Sequence, residues 1–192
     1  MKSFLKRDPN ENITESITDG IIENMGYSDN NILYPELNDI NQNDGVTYEL
    51  FYPIINSPEN FSEISAIFQY TTQSTMFGEI STLLMSIAFV EMKHLDKVRE
   101  LILKLGGNIN NVQWNASNTK YGNSPEEALQ LAMDGEMATI EYYKKIKKSI
   151  FLLPQQNKTT EICIQLLSKL IADEILHFNL LESKLNELNK KG

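Results

Sequence analysis

The chain has 192 residues, a formal net charge of −9 and 41% hydrophobic residues, which is enough for one domain with a sizeable core. No apolar run approaches the roughly 18 residues of a membrane span, the charged start lacks the apolar stretch of a signal peptide, and a single cysteine excludes a disulfide framework. We therefore expect a cytoplasmic protein with no membrane partner, and the lack of a basic stripe argues against nucleic acid as a partner.

Residues 1–45 are predicted to form an acidic arm outside the folded domain. Residues 1–50 hold ten acidic side chains against three basic ones, and so carry −7 of the net charge of −9. Apolar pairs in the arm, such as Ile21-Ile22, follow no sustained period. We expect the arm to be disordered alone or draped over a partner subunit, and residues 46–192 to form the folded domain.

Two helices are predicted in the first half of that domain. The first begins near Ser57-Pro58, a pair suited to a helix start, and ends near Met76. Gly78 marks a tight reversal, and the second helix then extends from about Glu79 to Leu105, where Gly106-Gly107 is a strong stop.

Two further helices follow an irregular, asparagine-rich crossover between residues 108 and 123. The third begins at Ser124-Pro125 and ends near Phe151, and the fourth extends from about Thr159 to Asn189. The crossover is long enough to pass from one end of a bundle to the other. The pattern predicts an all-α four-helix bundle, built from two antiparallel hairpins joined by a long crossover.

The second and fourth helices each carry the motif Glu-x-x-His, at Glu91–His94 and Glu174–His177. These are the only two histidines in the chain. Residues i and i+3 share one helix face, and in both helices that face is apolar. An unpaired buried carboxylate costs several kcal/mol, so these side chains require a partner that neutralises them.

An internal repeat places two more glutamates beside these motifs. Residues 63–70 and 136–143 share the form Glu-x-x-small-Ile-x-x-Tyr, and each precedes a Glu-x-x-His helix. The spacing within each hairpin allows two antiparallel legs and a turn, so all four glutamates can lie at one level. Six side chains are therefore predicted to bind two metal ions: Glu63, Glu91, His94, Glu136, Glu174 and His177.

The charges and ligand types of this set suit two divalent ions about 3.5–4 Å apart. Four carboxylates balance two dications, each ion gains one imidazole, and mixed carboxylate and imidazole ligands favour iron, with manganese as the alternative. Di-iron and di-manganese carboxylate bundles use the same set. The alternative is that each Glu-x-x-His motif is a solvated pair on a helix surface. That explanation would have to hold for both motifs, although both lie on apolar faces.

Three residues near the ligands have more than one interpretation. Tyr70 and Tyr143 lie seven residues after their glutamates and are candidate hydrogen-bond donors, redox-active groups or packing residues. Asp173 either orients a ligand histidine through its ring N–H or is exposed.

The segments 63–70 and 91–98 resemble the first and second helices of bacterioferritins. Residues 58–189 as a whole resemble rubrerythrin-like and bacterioferritin-like members of the ferritin-like superfamily. Rubrerythrins carry a four-cysteine rubredoxin domain and an extra glutamate where this chain has Thr139. Bacterioferritins have a fifth helix, which the 18 residues after Glu174 do not provide. Met92 resembles the bacterioferritin haem ligand, but we interpret it as a packing residue and expect no haem.

The resemblance implies a di-iron oxidoreductase that reacts with peroxide or oxygen and takes electrons from an external donor. This would be a rubrerythrin-like peroxidase or ferroxidase without a rubredoxin domain. Two alternatives remain open: manganese catalase-like dismutation of peroxide, and an iron-storage or spore-coat type structural protein. Apolar residues on the outer sides of the first two helices, such as Phe68 and Phe89, favour a homodimer.

Overall fold

The computed structural model describes residues 26–56, 62–110 and 114–190. Within these ranges the protein has five α-helices and no β-strand, and none of the helices is long and apolar enough to cross a membrane. A short helix, Tyr52–Asn56, precedes four longer ones. The four longer helices are α1 (Glu63–Met76), α2 (Ser81–Lys104), α3 (Pro125–Phe151) and α4 (Lys158–Asn189).

The helix starts follow local capping signals. Ser62 caps α1 by accepting a hydrogen bond from the Ser65 N–H, whereas the predicted start near Ser57 lies outside the described residues. Ser124 caps α3 in the same way, with proline at the first position. Asn157 and Thr160 form a reciprocal capping box at the start of α4.

Two hairpins make up the bundle, and the predicted four-helix architecture is confirmed. A 3₁₀ turn at Gly78–Ile80 joins α1 to α2, and a short turn after Phe151 joins α3 to α4. The crossover between the hairpins is anchored where the Trp114 Nε1–H donates to the Ser65 Oγ over 3.0 Å. The helices therefore meet as two antiparallel pairs around a common core.

The core consists of two apolar clusters on either side of a polar layer. The large cluster joins the second half of α2 and α3 to the first half of α4, around residues such as Leu101 and Leu166. The small cluster joins α1 to the first half of α2 and α3 and to Leu181 near the end of α4. The predicted ligands of α2, α3 and α4 lie along their helices between these clusters, and Glu63 lies at the start of α1. The fold therefore encloses the polar layer at both ends.

Residues 26–46, here called the N-terminal segment, pack on the bundle of the same chain. Leu37 and Val46 are 2% exposed and belong to the large cluster, and the Asn41 N–H donates to Thr159 Oγ1. For residues 26–45 this differs from the expected disordered or partner-draped arm, whereas residues 1–25 lie outside the described residues.

The length of α1 explains why the N-terminal segment packs there. Helix α1 has 14 residues against 32 in α4, and it contributes no buried residue to the large cluster. The N-terminal segment, Phe51 and the short helix supply apolar side chains there instead, and those of the short helix include Ile54 and Ile55. They therefore cover the part of the bundle that α1 leaves open.

Helix α2 ends in a Schellman motif that only glycine fits well. The Gly107 N–H bonds to the Ile102 carbonyl, the Gly106 N–H bonds to the Leu103 carbonyl, and Gly106 has φ +84°. The Gly106-Gly107 stop signal in the sequence thus ends the helix where it was predicted to end.

Gly106→Ala is expected to lower the free energy of unfolding by about 1–2 kcal/mol, because an L-residue at this φ is strained. A Cβ would also lie 2.6 Å from Gln42 Oε1, although that side chain can move. Urea denaturation measures the change. Gly78→Ala is the matched control, since a Cβ there meets nothing within 4 Å. Equal stability of the Gly106→Ala and Gly78→Ala variants would contradict this account of the helix end.

Candidate metal centre

The polar layer between the two clusters contains all six predicted ligands. Each is at most 3% exposed, and every bundle helix contributes at least one of them. Helices α1 and α3 supply one glutamate each, and α2 and α4 supply a Glu-x-x-His motif each.

The six ligands form two overlapping groups of four. Glu63 and His94 complete one group, and Glu136 and His177 complete the other, while Glu91 and Glu174 belong to both. Within each group, one ligand atom from every residue lies within 4.8 Å of the others. The arrangement suits two adjacent ions that would share two carboxylates.

The shared carboxylates face both histidines. His94 Nδ1 lies 3.0 Å from Glu91 Oε2 and 3.2 Å from Glu174 Oε1. His177 Nδ1 lies 2.9 Å from Glu91 Oε1 and 3.3 Å from Glu174 Oε2. Each shared carboxylate thus presents one oxygen to each imidazole, which is the orientation that a bridging carboxylate needs.

Hydrogen bonds within the protein leave two carboxylate oxygens of this cluster unsatisfied. Among the described residues, Glu91 Oε1 and Glu174 Oε1 are buried without a hydrogen-bond partner, because the nearby imidazole nitrogens are not aligned to donate to them. Buried carboxylate oxygens of this kind are costly unless a cation binds them. The unsatisfied oxygens and the mixed donor set therefore fit two divalent metal ions.

The two tyrosines of the internal repeat hold the two glutamates that are not shared. The Tyr70 hydroxyl donates to Glu136 Oε1 over 2.5 Å, and the Tyr143 hydroxyl donates to Glu63 Oε1. Burial and the nearby carboxylates raise the pKa of both phenols, so they stay protonated as donors. Each tyrosine contacts the glutamate of the other repeat, in agreement with the hydrogen-bond donor interpretation.

The outer ring nitrogens of both histidines have acceptors. His94 Nε2 lies 3.1 Å from Asp173 Oδ2, and His177 Nε2 lies 2.9 Å from the Tyr27 carbonyl oxygen. The sequence pointed to Asp173 as one possible partner of a histidine, and the histidine it contacts lies on α2. It gave no signal for Tyr27, because a backbone carbonyl is present at every residue.

Asp173 is buried within a dense set of donors. Besides His94, it accepts hydrogen bonds from Lys169 Nζ at 2.8 Å and from three groups of the N-terminal segment, described below. Burial alone would raise its pKa, but the contacts with His94 and Lys169 lower the pKa of Asp173 to about 2. This side chain is therefore an ionised acceptor, not the exposed aspartate of the alternative interpretation.

The surroundings shift the pKa values of the four ligand carboxyls in two opposite directions. Burial and the adjacent Glu91 carboxylate raise the pKa of Glu63, and burial and Glu174 raise the pKa of Glu136. Burial opposes ionisation of the shared pair as well, but the two imidazoles lower the pKa of Glu91 and contribute to lowering that of Glu174.

The carboxylates that face the two imidazoles shift the pKa values of both rings. Burial alone would lower the pKa of His177, but Glu91 and Glu174 raise it to about 10. Burial likewise opposes protonation of His94, while Tyr34, Glu91 and the hydrogen bond to Asp173 raise its pKa. The shared carboxylates and the two imidazoles thus favour each other's charged forms.

Met92 lies apart from the six ligands. Its side chain is 38% exposed on α2, and Phe89, also 38% exposed, precedes it by three residues. Met92 therefore lies at the surface of the single chain. From the sequence, Met92 was interpreted as a packing residue, with haem ligation between subunits as the alternative.

Comparison with known proteins agrees with the fold. The model of the ferritin-like domain family matches residues 62–190. The chain is 30% identical over 138 residues to bacterioferritins from Mycobacterium bovis and Mycobacterium tuberculosis, covering 68% of this chain and 81% of each relative.

Two solved bacterioferritins have a similar fold. The Mycobacterium tuberculosis protein BfrA superposes with a TM-score of 0.63 at 25% identity, covering 76% of this chain and 87% of BfrA. The Rhodobacter capsulatus bacterioferritin, described with a metal-free dinuclear site and a haem iron, gives a TM-score of 0.62 at 21% identity, covering 76% and 86%.

Binding of two dications is expected to release protons, because the raised pKa values of Glu63, Glu136 and the two histidines favour protonated forms, whereas metal ions bind the deprotonated ones. Because these pKa values are raised, the apparent affinity should increase as the pH rises, up to about pH 10 for the His177 contribution. Calorimetric titration with Mn²⁺ in buffers of different ionisation enthalpy measures the release. His177→Gln should release about one proton fewer, and release of no protons near neutral pH would contradict this charge assignment.

Proposed function

The chain belongs to the ferritin-like domain family, and on this premise we propose that it is a di-iron oxidoreductase that oxidises ferrous iron with peroxide or oxygen. One observation supports this most strongly: Glu91 and Glu174 each present one carboxylate oxygen to each of the two histidines. This geometry suits two ions held side by side. When bound, a pair of ferrous ions supplies the two electrons that reduce one peroxide to two waters, with two protons taken up.

The residues of this chain have distinct tasks in that reaction. Glu91 and Glu174 would bridge the ions, and Glu63 and Glu136 would each bind one of them. The hydroxyls of Tyr143 and Tyr70 fix the orientation of the two non-bridging carboxylates. The two apolar clusters exclude bulk water from the layer, which strengthens each ion–carboxylate interaction.

Charge balance supports binding of the reduced pair in particular. Four carboxylates and two neutral imidazoles cancel the charge of two dications, whereas two trivalent ions leave a charge of about +2 in a buried layer. Oxidised iron therefore needs hydroxide or oxide from solvent, or it leaves the site. An external donor that returns the electrons gives a peroxidase, and departure of ferric iron gives a ferroxidase that feeds storage.

Anaerobic titration tests the proposal directly. The wild-type chain should bind two Fe²⁺ ions, melt at a higher temperature once loaded, and oxidise both ions on addition of peroxide. Glu91→Gln should weaken both ion sites, because this carboxylate is shared, while the bundle stays folded. Glu182→Gln is the matched control, since it removes an exposed carboxylate from α4.

Binding of one ion per chain, or equal iron binding by the Glu91→Gln and Glu182→Gln variants, would overturn the dinuclear assignment. The same protein distinguishes the alternatives. Peroxide loss that requires a reductant supports the peroxidase, whereas oxygen evolution from the Mn²⁺-loaded protein without a donor supports catalase-like dismutation.

Iron storage is the second candidate, because the relatives are bacterioferritins. It depends on assembly, for which exposed apolar side chains on α1 and α2 are informative. Phe68, Phe89 and Met92 are 41%, 38% and 38% exposed, and none of them belongs to the small cluster. We propose that a second copy of the chain covers them in a homodimer.

Light scattering should therefore give the mass of a dimer. Phe89→Asp is expected to shift the protein toward monomer, because it places a charge in the apolar contact. Phe151→Asp serves as the control, since Phe151 is 69% exposed at the end of α3, away from these residues. The mass of a closed, many-subunit shell would refute the small oligomer and place iron storage first.

A further inference from the structure

The first residues of the N-terminal segment contact the outer edge of both candidate histidine ligands. We propose that residues 27–34 are a positioning strap that fixes both imidazoles for metal binding, so that docking of the strap and binding of the ions are thermodynamically coupled. This inference rests on the proposed function, since it requires that the site binds metal. It assigns a role to a part of the chain that precedes the residues matched by the ferritin-like family model.

The strap reaches His94 through Asp173. The carboxylate of Asp173 accepts a hydrogen bond from the Asp29 N–H over 2.6 Å, from the Tyr34 hydroxyl over 3.1 Å and from the Ser28 hydroxyl over 3.2 Å. The same carboxylate lies 3.1 Å from His94 Nε2. Three of the groups that hold Asp173 in place therefore come from the strap.

The strap reaches His177 directly. The Tyr27 carbonyl oxygen lies 2.9 Å from His177 Nε2, and the neighbouring residue Ser28 is buried. A carbonyl accepts hydrogen bonds and cannot donate them. The position of the strap backbone at this one residue therefore decides whether His177 has an outer acceptor.

Lys169 fastens the strap to α4. Its ammonium group is buried and donates to the Ser28 hydroxyl over 2.8 Å, to the Asp29 carbonyl over 2.7 Å and to Asp173 over 2.8 Å. A buried ammonium without such partners is strongly unfavourable. Lys169 and Asp173, one helical turn apart, thus form a charged pair whose remaining hydrogen-bonding capacity the strap satisfies.

The far end of the N-terminal segment is anchored on the same helix. Thr159 Oγ1 donates to Asp44 Oδ2 over 2.7 Å, and the Asn157 side chain donates to the Asp44 carbonyl. The segment therefore follows α4 from the ligand histidines to the helix start. This anchoring keeps the strap close to the histidines and so raises its effective concentration there. The strap can therefore dock on the bundle although it belongs to none of the helices.

Both outer partners select the same histidine tautomer. An ionised Asp173 carboxylate and a backbone carbonyl only accept hydrogen bonds, so each binds an Nε2–H group. In a neutral imidazole the proton then resides on Nε2, and the Nδ1 lone pair faces the shared carboxylates, where a metal would bind. Without the strap, His177 would lose its outer acceptor, and the acceptor of His94, Asp173, would lose three of its hydrogen bonds.

The double variant Ser28→Ala/Tyr34→Phe tests the strap. It removes two donors to Asp173, keeps the aromatic ring and leaves all six ligands intact. Anaerobic titration with Co²⁺, followed by its visible absorption, should show about 10- to 100-fold weaker binding than in the wild type. The variant Ser28→Ala alone should lie between the two if the double variant proves unstable.

Tyr52→Phe is the matched control. This change also removes a tyrosine hydroxyl that makes a long-range contact, since Tyr52 of the short helix donates a hydrogen bond to the Asn108 carbonyl after α2. That contact lies away from the metal layer. Its Co²⁺ affinity should stay within about threefold of the wild type. An equal loss in the Tyr52→Phe and Ser28→Ala/Tyr34→Phe variants would mean that only general stability matters, and it would overturn the strap.

A reciprocal measurement gives a second readout. Strap docking and metal binding are two coupled equilibria, and such coupling is symmetric. Co²⁺ binding should therefore slow hydrogen exchange in the 27–34 peptide of the wild-type protein, by a factor similar to the loss of Co²⁺ affinity in the double variant. Unchanged exchange on metal binding, or an unchanged affinity of the double variant, would overturn the strap alone. A wild-type protein that binds no Co²⁺, Fe²⁺ or Mn²⁺ would overturn the proposed function as well.

Discussion

The burial of four carboxylates at one level of a helical bundle is the constraint on which the rest of the structure depends. At close range in a poorly polarisable interior, like charges cannot all remain ionised. The chain eases this by favouring the protonated forms of two carboxyls and of both imidazoles, whereas two dications would ease it by replacing protons. Two dications, four carboxylates and two neutral imidazoles would leave the layer neutral.

Neutrality alone does not fix the ligand geometry, and the surrounding contacts supply that part. Tyrosines from the internal repeat hold the two non-bridging glutamates, each across the boundary between repeats. Acceptors for the outer histidine nitrogens are unequal: one is a carboxylate on α4 and the other is a backbone carbonyl. The two groups of candidate ligands are therefore similar in donor type, but only the His94 imidazole has a negatively charged acceptor at its outer nitrogen. A carboxylate in this position makes the imidazole a more basic ligand.

The sequence was most informative where local chemistry decides the structure. Helix ends at Ser124-Pro125 and Gly106-Gly107 follow from capping and backbone strain, which depend on neighbouring residues only. The six ligands could be grouped because helical spacing converts motif positions into faces. The packing of residues 26–45 could not be predicted, because their apolar side chains follow no period and fit a surface that only the folded bundle provides. The contact between the Tyr27 carbonyl and His177 was missed for a related reason, because every residue has a backbone carbonyl whatever its side chain.

The crossed tyrosine contacts also bear on the order of folding. Tyr70 and Glu136 are 66 residues apart, Tyr143 and Glu63 are 80 residues apart, and Ser28 and Asp173 are 145 residues apart. Closing such long loops costs more chain entropy than forming either hairpin, so contacts of this range follow local structure. The six candidate ligands therefore come together only after both hairpins have formed and packed against each other. The N-terminal segment then adds contacts behind the two histidines, so a partly folded chain lacks either the full set of side chains or the contacts that support them.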